Sequence, residues 1–366
     1  MIAYSRGIYF EQLADRQLQS EHELTTAANI NYKNAIDQFN SAIHFQPKYA
    51  ECYHHRGLCR RRLENYAAAT TDLSEAIALQ PGDWQCWRDR GMNYTSAEQF
   101  EPAVKDFSEA IRLHPAAAES LLAARAHCEQ LLGQYDQALD DASKAIRVKS
   151  NAQNYCCRAG IYRVLQKYKL MFADYDAALT IEPRNIDAIV EKAYGNLSSG
   201  NDEAAYAGFE RALRLSIWKN RAGYCVISAT LACWERGIDA SELLDEAVEV
   251  LKIPVSSKDG AQDAKPSEKW PLPVIQYMRH DISKAALLDT AKNNRNRMTE
   301  VNTYLAYEEL SKHHVENAKK LFQWVADNGN HDFYEYELAV ASLSRLLNQP
   351  RPRSNGVPGK AIVGPS

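Results

Sequence analysis

Nothing in this chain of 366 residues approaches eighteen consecutive apolar residues, so the sequence predicts no membrane-spanning helix. The opening MIAYSRGIYFEQLADRQ has no basic start, apolar core or small-residue cleavage site, and so does not read as a secretory signal. Charge of one sign is also scarce. A formal net charge of −4 offers no field to gather nucleic acid or an anionic membrane surface. The phosphate-cradling, nucleophile-elbow and H-E-x-x-H motifs are missing, and no Ser/His/Asp set follows from spacing. No catalytic residue and no cofactor is therefore expected.

The eight cysteines, at 52, 59, 86, 128, 156, 157, 225 and 233, follow no zinc spacing. They fall in helix-like segments of a chain too long to need a disulfide framework, so free thiols in a reducing compartment, the cytoplasm, are expected, with a periplasmic or lipoprotein location the alternative if a leader has been removed. The stretch CYHHRGLC places Cys52, His55 and Cys59 on one helical face beside His54. Seven helical residues rise about 10 Å, too far for ligands on one straight helix to close a tetrahedron, so no metal site is expected there.

What the chain does have is a period. DLSEAIALQP at Asp72 to Pro81 returns as DFSEAIRLHP at Asp106 to Pro115, displaced by 34 residues with seven of ten letters unchanged. Taking Ala76 and Ala110 as anchors, the series runs Ala42, Ala76, Ala110, Ala145, Ala178 and Ala212. Ala35, Ala69, Ala103, Ala138 and Ala205 stand seven residues before their anchors, with Met171 the exception. Between the two lies Phe39, Leu73, Phe107, Ala142, Tyr175 or Phe209. Further upstream come Gly57, Gly91, Ala126, Ala159 and Ala193, and Pro47, Pro81, Pro115 and Pro183 close four units.

Each unit holds two apolar-periodic stretches of about four turns around a polar corner such as LENY or LGQY, the pattern of an antiparallel helix pair. Small residues let the two backbones approach while the bulky residue fills the gap between them. Proline then ends the second helix, because it lacks the N–H and restricts its predecessor. One such hairpin cannot bury its own face, so the units must stack. An Arg or Lys precedes the small residue in five units (Arg56, Arg90, Arg125, Arg158, Lys192), and an Asp precedes the bulky residue in four (Asp72, Asp106, Asp141, Asp174). Their fixed places predict pairing between the two helices of a repeat rather than a binding ladder.

Small, Ala, bulky, Ala and Pro at positions 8, 20, 24, 27 and 32 of a 34-residue unit resemble the tetratricopeptide repeat over about residues 1 to 217. The resemblance implies an all-α, right-handed superhelical solenoid of six hairpins. The first departs from the pattern by 16 extra residues between Gly7 and Ala35, read as a longer helix or loop that caps the stack. A degenerate helix pair is expected at 218–252, a flexible loop at 253–270, and a C-terminal helical module at 271–348. Ala306, Ala318, Phe322 and Val325 repeat the family spacing in that module, and the Pro- and Gly-rich 349–366 reads as a disordered tail. The segment from WPLPVIQYM to EYELAVASLSRL is similar to the C-terminal part of bacterial tetratricopeptide proteins of the NlpI lipoprotein type, without the N-terminal lipid-attachment cysteine that such proteins carry.

The resemblance further implies that positions 5, 9 and 12 of the first helices face a concave groove. Here these are His54, Leu58, Arg61; Arg88, Met92, Thr95; Ala123, His127, Gln130; Cys156, Gly160, Arg163; and Val190, Tyr194, Leu197. None is acidic and three are arginine, although position 2 adds Glu51 and Asp187. His54, Arg61, Arg88, His127, Arg163 and Tyr194 are the candidate contacts for a peptide with an acidic or carboxylate end and an apolar anchor. The carboxylate clamp of co-chaperones needs Lys and Asn where His54 and Leu58 stand, which argues against that role. The expected function is a non-catalytic scaffold or adaptor for protein partners. The alternatives are a regulatory region of a larger enzyme system and a chaperone-like peptide receptor.

Overall fold

The computed structural model describes residues 2–21, 26–215, 222–251, 269–330 and 333–348. The loop expected at 253–270 lies outside these apart from Lys269 and Trp270, and the tail expected at 349–366 lies outside them altogether. The described residues form nineteen α-helices and a 3₁₀ turn at Pro115–Ala117, with no β-strand. The chain is an all-α stack of helical repeats that divides into two compact units after Pro183, inside the periodic region.

The first unit is five hairpins: α1 (Ile2–Glu21) with α2 (Thr26–Phe45), α3 (Ala50–Arg62) with α4 (Tyr66–Leu79), α5 (Trp84–Ser96) with α6 (Phe100–Leu113), α7 (Ala118–Leu131) with α8 (Tyr135–Val148), and α9 (Ala152–Val164) with α10 (Tyr168–Ile181). The extra length of the first hairpin lies in its helices, 20 residues each against 13 or 14 in the others. In the first three hairpins the glycine of the first helix (Gly7, Gly57, Gly91) meets the bulky residue of the second (Phe39, Leu73, Phe107). A Cβ built on Gly57 would stand 2.9 Å from Leu73, and one on Gly91 2.9 Å from Phe107, so these positions admit no side chain without repacking.

The corners are equally regular. Glu64, Glu98, Gly133 and Gln166 all adopt left-handed backbone, and the N–H of the following residue reaches back five places, as from Asn65 to Arg60 O at 2.9 Å and Gln99 to Tyr94 O at 2.8 Å. This is the Schellman closure, which satisfies carbonyls that the helix end leaves unpaired. Only Gly133 fills the left-handed position without the steric cost of a Cβ. At the other end of the second helices the residues before proline leave the helical region, with Gln80 at φ −135° and His114 at φ −139°.

The Arg and Asp positions form bidentate pairs across four of the five hairpins, from α3/α4 to α9/α10. Arg90 Nε and Nη2 donate to Asp106 at 2.7 and 2.8 Å, and the same fork joins Arg56 to Asp72, Arg125 to Asp141 and Arg158 to Asp174. The remaining guanidinium nitrogen reaches the preceding repeat, where Nη1 of Arg56, Arg90, Arg125 and Arg158 donates to Asn40, Ser74, Ser108 and Ser143. Each arginine thus ties its own helix pair and also fixes the register of that pair on its neighbour. The pairing within repeats was legible in the sequence. The staple between repeats was not, although Asn40, Ser74, Ser108 and Ser143 recur with the same period.

The second unit begins with the hairpin α11 (Ile186–Ser199) and α12 (Asp202–Leu215). α13 (Ala222–Glu235) is buried almost all round, against α12, α14 (Ser241–Leu251) and α15 (Leu272–Met278). α16 (Lys284–Ala291) leads to a second hairpin, α17 (Arg295–Ser311) and α18 (Val315–Asn328). Its corner residue His313 is left-handed, and Tyr307 meets Phe322 edge to face at 5.4 Å. The last helix, α19 (Tyr334–Asn348), packs on α11, α17 and α18.

Candidate partner-binding face

In the first unit the first helices lie side by side and are bonded to one another. His55 of α3 reaches Glu11 of α1 at 2.8 Å, Thr95 of α5 meets Cys128 of α7 at 3.2 Å, and Asn154 of α9 donates to Glu119 of α7 at 2.8 Å. Of the i, i+4, i+7 stripe these bonds take up Thr95 alone. None of the twelve stripe residues from His54 to Arg163 is fully buried. Met92 and His127 are exposed, and a Cβ built on Gly160 would meet nothing within 4 Å.

The charge on this face differs from the basic stripe expected. Asp89, next to Arg88 and only 3% exposed, was outside the fifteen positions and reshapes the first part of the face. His54 Nε2 lies 2.7 Å from its Oδ2, and Arg88 donates to both its oxygens at 2.9 and 3.0 Å. Burial opposes the charge of Asp89, but the bonds from His54 and Arg88 prevail and hold its pKa below the usual carboxylate value. His54 and Arg88 are therefore not free cationic contacts. Arg88 also lies over the Trp84 ring, 5.2 Å from its centroid, and Trp84 stacks on His114 at 4.9 Å.

Arg61 stands apart. Among the described residues no hydrogen bond or ion pair reaches its guanidinium, and its Nε is buried without a partner. Burial pulls its pKa below the ordinary arginine value, and Arg62 and Arg88 act in the same direction against Asp89. Unlike Arg56, Arg90, Arg125 and Arg158, each of which has a bidentate aspartate, Arg61 is a desolvated cation with unspent donors. His127 touches solvent, yet the protein around it lowers its pKa and keeps it neutral near pH 7. Arg163 is half-buried further along the same face. Glu129, two residues from His127 and missed by the sequence reading, is buried, with its pKa pushed up to about 7 by that burial and by the Asp141 charge.

Tyr194 requires a correction. It does not anchor an open face, because α19 covers it. In the second unit Val190, Tyr194 and Leu197 are all buried, in contrast to the open stripe of the first unit. Tyr334 stacks flat on Tyr194 and its hydroxyl donates to Glu191. Arg345 of α19 donates to Leu197 O at 3.5 Å, and its Nη1 stands 2.5 Å from where a Cβ on Gly200 would be. Further contacts run from α19 to α17, where Tyr304 donates to Glu335 at 2.7 Å and Tyr307 bonds Ser342 at 2.8 Å. Glu335 faces Glu300, which accepts from Trp270 Nε1 at 2.8 Å. Burial, and then the neighbouring Glu335 carboxylate, push Glu300 up to about 8, and burial raises Glu335 as well.

No helix of the described residues is long and apolar enough to cross a membrane. A tetratricopeptide repeat family model matches residues 50–83, which span α3, α4 and the turn after them. Among solved structures, the stack is similar to a thermophilic TPR protein of Thermus thermophilus, at 19% identity and a TM-score of 0.41, over 52% of this chain and 99% of that one. It is also similar to PilF of Pseudomonas aeruginosa, at 14% identity and a TM-score of 0.46, over 61% of this chain and 98% of that one. A third likeness is to the C-terminal part of a TPR repeat-containing protein from Cytophaga hutchinsonii, at 13% identity and a TM-score of 0.45, over 89% and 98%. Proteins of the matched family are in general non-catalytic scaffolds for protein–protein interaction. With its 34-residue period and the same small-to-bulky packing and left-handed corner in successive hairpins, around the unit that the family model matches, the chain is a tetratricopeptide repeat protein.

Proposed function

We propose that this protein is a non-catalytic adaptor that binds a peptide segment of a partner on the first-helix face of its first unit, with a carboxylate of that segment docked on Arg61. The observation that carries the reading is the unpaired, desolvated guanidinium of Arg61 on a face whose other arginine at this end is already bonded to Asp89. A planar carboxylate would satisfy two of its donors at once, and the low-dielectric surroundings strengthen the bond. Exposed Met92 and the open space over Gly160 leave room for apolar side chains and backbone further along. The eight free cysteines suit a reducing compartment, and we place the protein in the cytoplasm.

The test is an array of extended peptides bearing acidic side chains or a free C-terminal carboxylate, each beside its amidated or Gln/Asn counterpart. Binding should favour the charged member of each pair and fall at least tenfold in R61E, while R163E weakens it less. Equal binding of charged and neutral members, or an unchanged affinity in a folded R61E protein, overturns the reading.

A further inference from the structure

His54 leaves the middle of α3, and Asp83 and Cys86 stand at the start of α5 in the next repeat. A ring nitrogen of His54, a carboxylate oxygen of Asp83 and the Cys86 sulfur all lie within 4.8 Å of one another. The sulfur is already 3.4 Å from Asp83 Oδ2, close to the roughly 3.5 Å that separates two ligands on one tetrahedral zinc. We propose that His54, Asp83 and Cys86 form a zinc-type metal site that clasps the second hairpin to the third.

Three features beyond the proximity support it. One nitrogen, one oxygen and one sulfur donor form a borderline set suited to Zn²⁺ rather than to Ca²⁺ or Mg²⁺, which take oxygen alone. Asp89 holds His54 Nε2 at 2.7 Å, so Nδ1 is the nitrogen that would take the metal, with Asp89 as the carboxylate partner that metal-binding histidines commonly have behind them. Asp83 supplies the carboxylate charge that faces the Cys86 thiol, the charge of Asp89 being taken up by Arg88, and a bound cation would offset the burial that holds the thiol protonated. Binding breaks the Cys86 S–H bond, sends its proton to solvent and forms the metal–sulfur bond, with no change of oxidation state. Three protein ligands leave a fourth position for water or for a carboxylate of a bound partner. Sequence spacing could not show this set, because His54 and Cys86 are 32 residues apart in neighbouring repeats.

The experiment titrates Co²⁺ into the reduced full chain and follows cobalt–thiolate charge-transfer absorption, then displaces the cobalt with Zn²⁺. One equivalent should bind with a thiolate band, and Zn²⁺ should raise the melting temperature. C86S should lose the band, and H54Q and D83N should weaken binding at least tenfold. D89N, which changes only the partner behind His54, should weaken binding about 10- to 100-fold. C52S, a buried cysteine outside the cluster, should bind as wild type. Circular dichroism checks folding of each variant, and if C86S loses helicity then H54Q and D83N decide the matter. No thiolate band in wild type, a full band in C86S, or wild-type affinity in folded H54Q and D83N overturns the proposal. The peptide array with R61E reads independently, since Arg61 is not a ligand.

Discussion

Tyr334 lies flat against Tyr194, their ring centroids 4.5 Å apart and their planes at 7°. One residue belongs to the last described helix and the other to the position from which the sixth repeat would display its binding face. The second unit has in effect filled that face with its own α19, while the corresponding stripe of the first unit stays open. This difference directs the functional reading to the first unit.

If α19 holds its place through this contact, Y334A should destabilise the protein by about 2 kcal/mol, combining a lost aromatic pair with partial loss of burial. Y334F, which removes only the hydroxyl that donates to Glu191, should cost less, about 1 kcal/mol. Urea unfolding of both variants checks this, and an unchanged midpoint in Y334A would mean that α19 is not docked in solution.

The Arg90–Asp106 pair should behave as a buried ion pair. Removing one partner, in D106A or R90A, leaves a desolvated charge and should cost about 3–5 kcal/mol, whereas R90M/D106L should recover most of the loss. A double-mutant cycle in urea provides the measure. R90A should lose somewhat more than D106A leaves unexplained by the ion pair, because its Nη1 bond to Ser74 in the preceding repeat is lost as well.

The buried acids of the second unit set a pH dependence. Glu300 stays protonated in the fold up to about pH 8 but ionises near 4.5 when the chain unfolds, so the folded state holds more protons across that window. Stability should therefore fall as pH rises from about 4.5 to 8, and the raised Glu335 acts in the same direction. E300Q should flatten the slope of the urea midpoint between pH 5 and 8 and raise stability at the alkaline end. An E300Q slope identical to wild type would show that the pair does not share the buried environment described.

The period was legible in the sequence because repeats have to be alike wherever they touch each other. Gly57 faces Leu73 and Arg56 faces Asp72 at a fixed separation along one chain segment, so identity and spacing alone determined those contacts, the hairpins and their stacking. The candidate contacts lie where that constraint ends. Whether a stripe position is free depends on what crosses from another repeat, and no local pattern encodes that crossing. Asp89 binds both His54 and Arg88 from beside the stripe, and α19 returns across more than a hundred residues to bury Tyr194. The sequence by itself determined an all-α repeat fold, since hydrophobic period and small-residue spacing act within 34 residues. Only the tertiary structure decided that Arg61 is left unpaired and that one face is open and the other filled, because charge compensation and burial are set by neighbours that are distant in the chain.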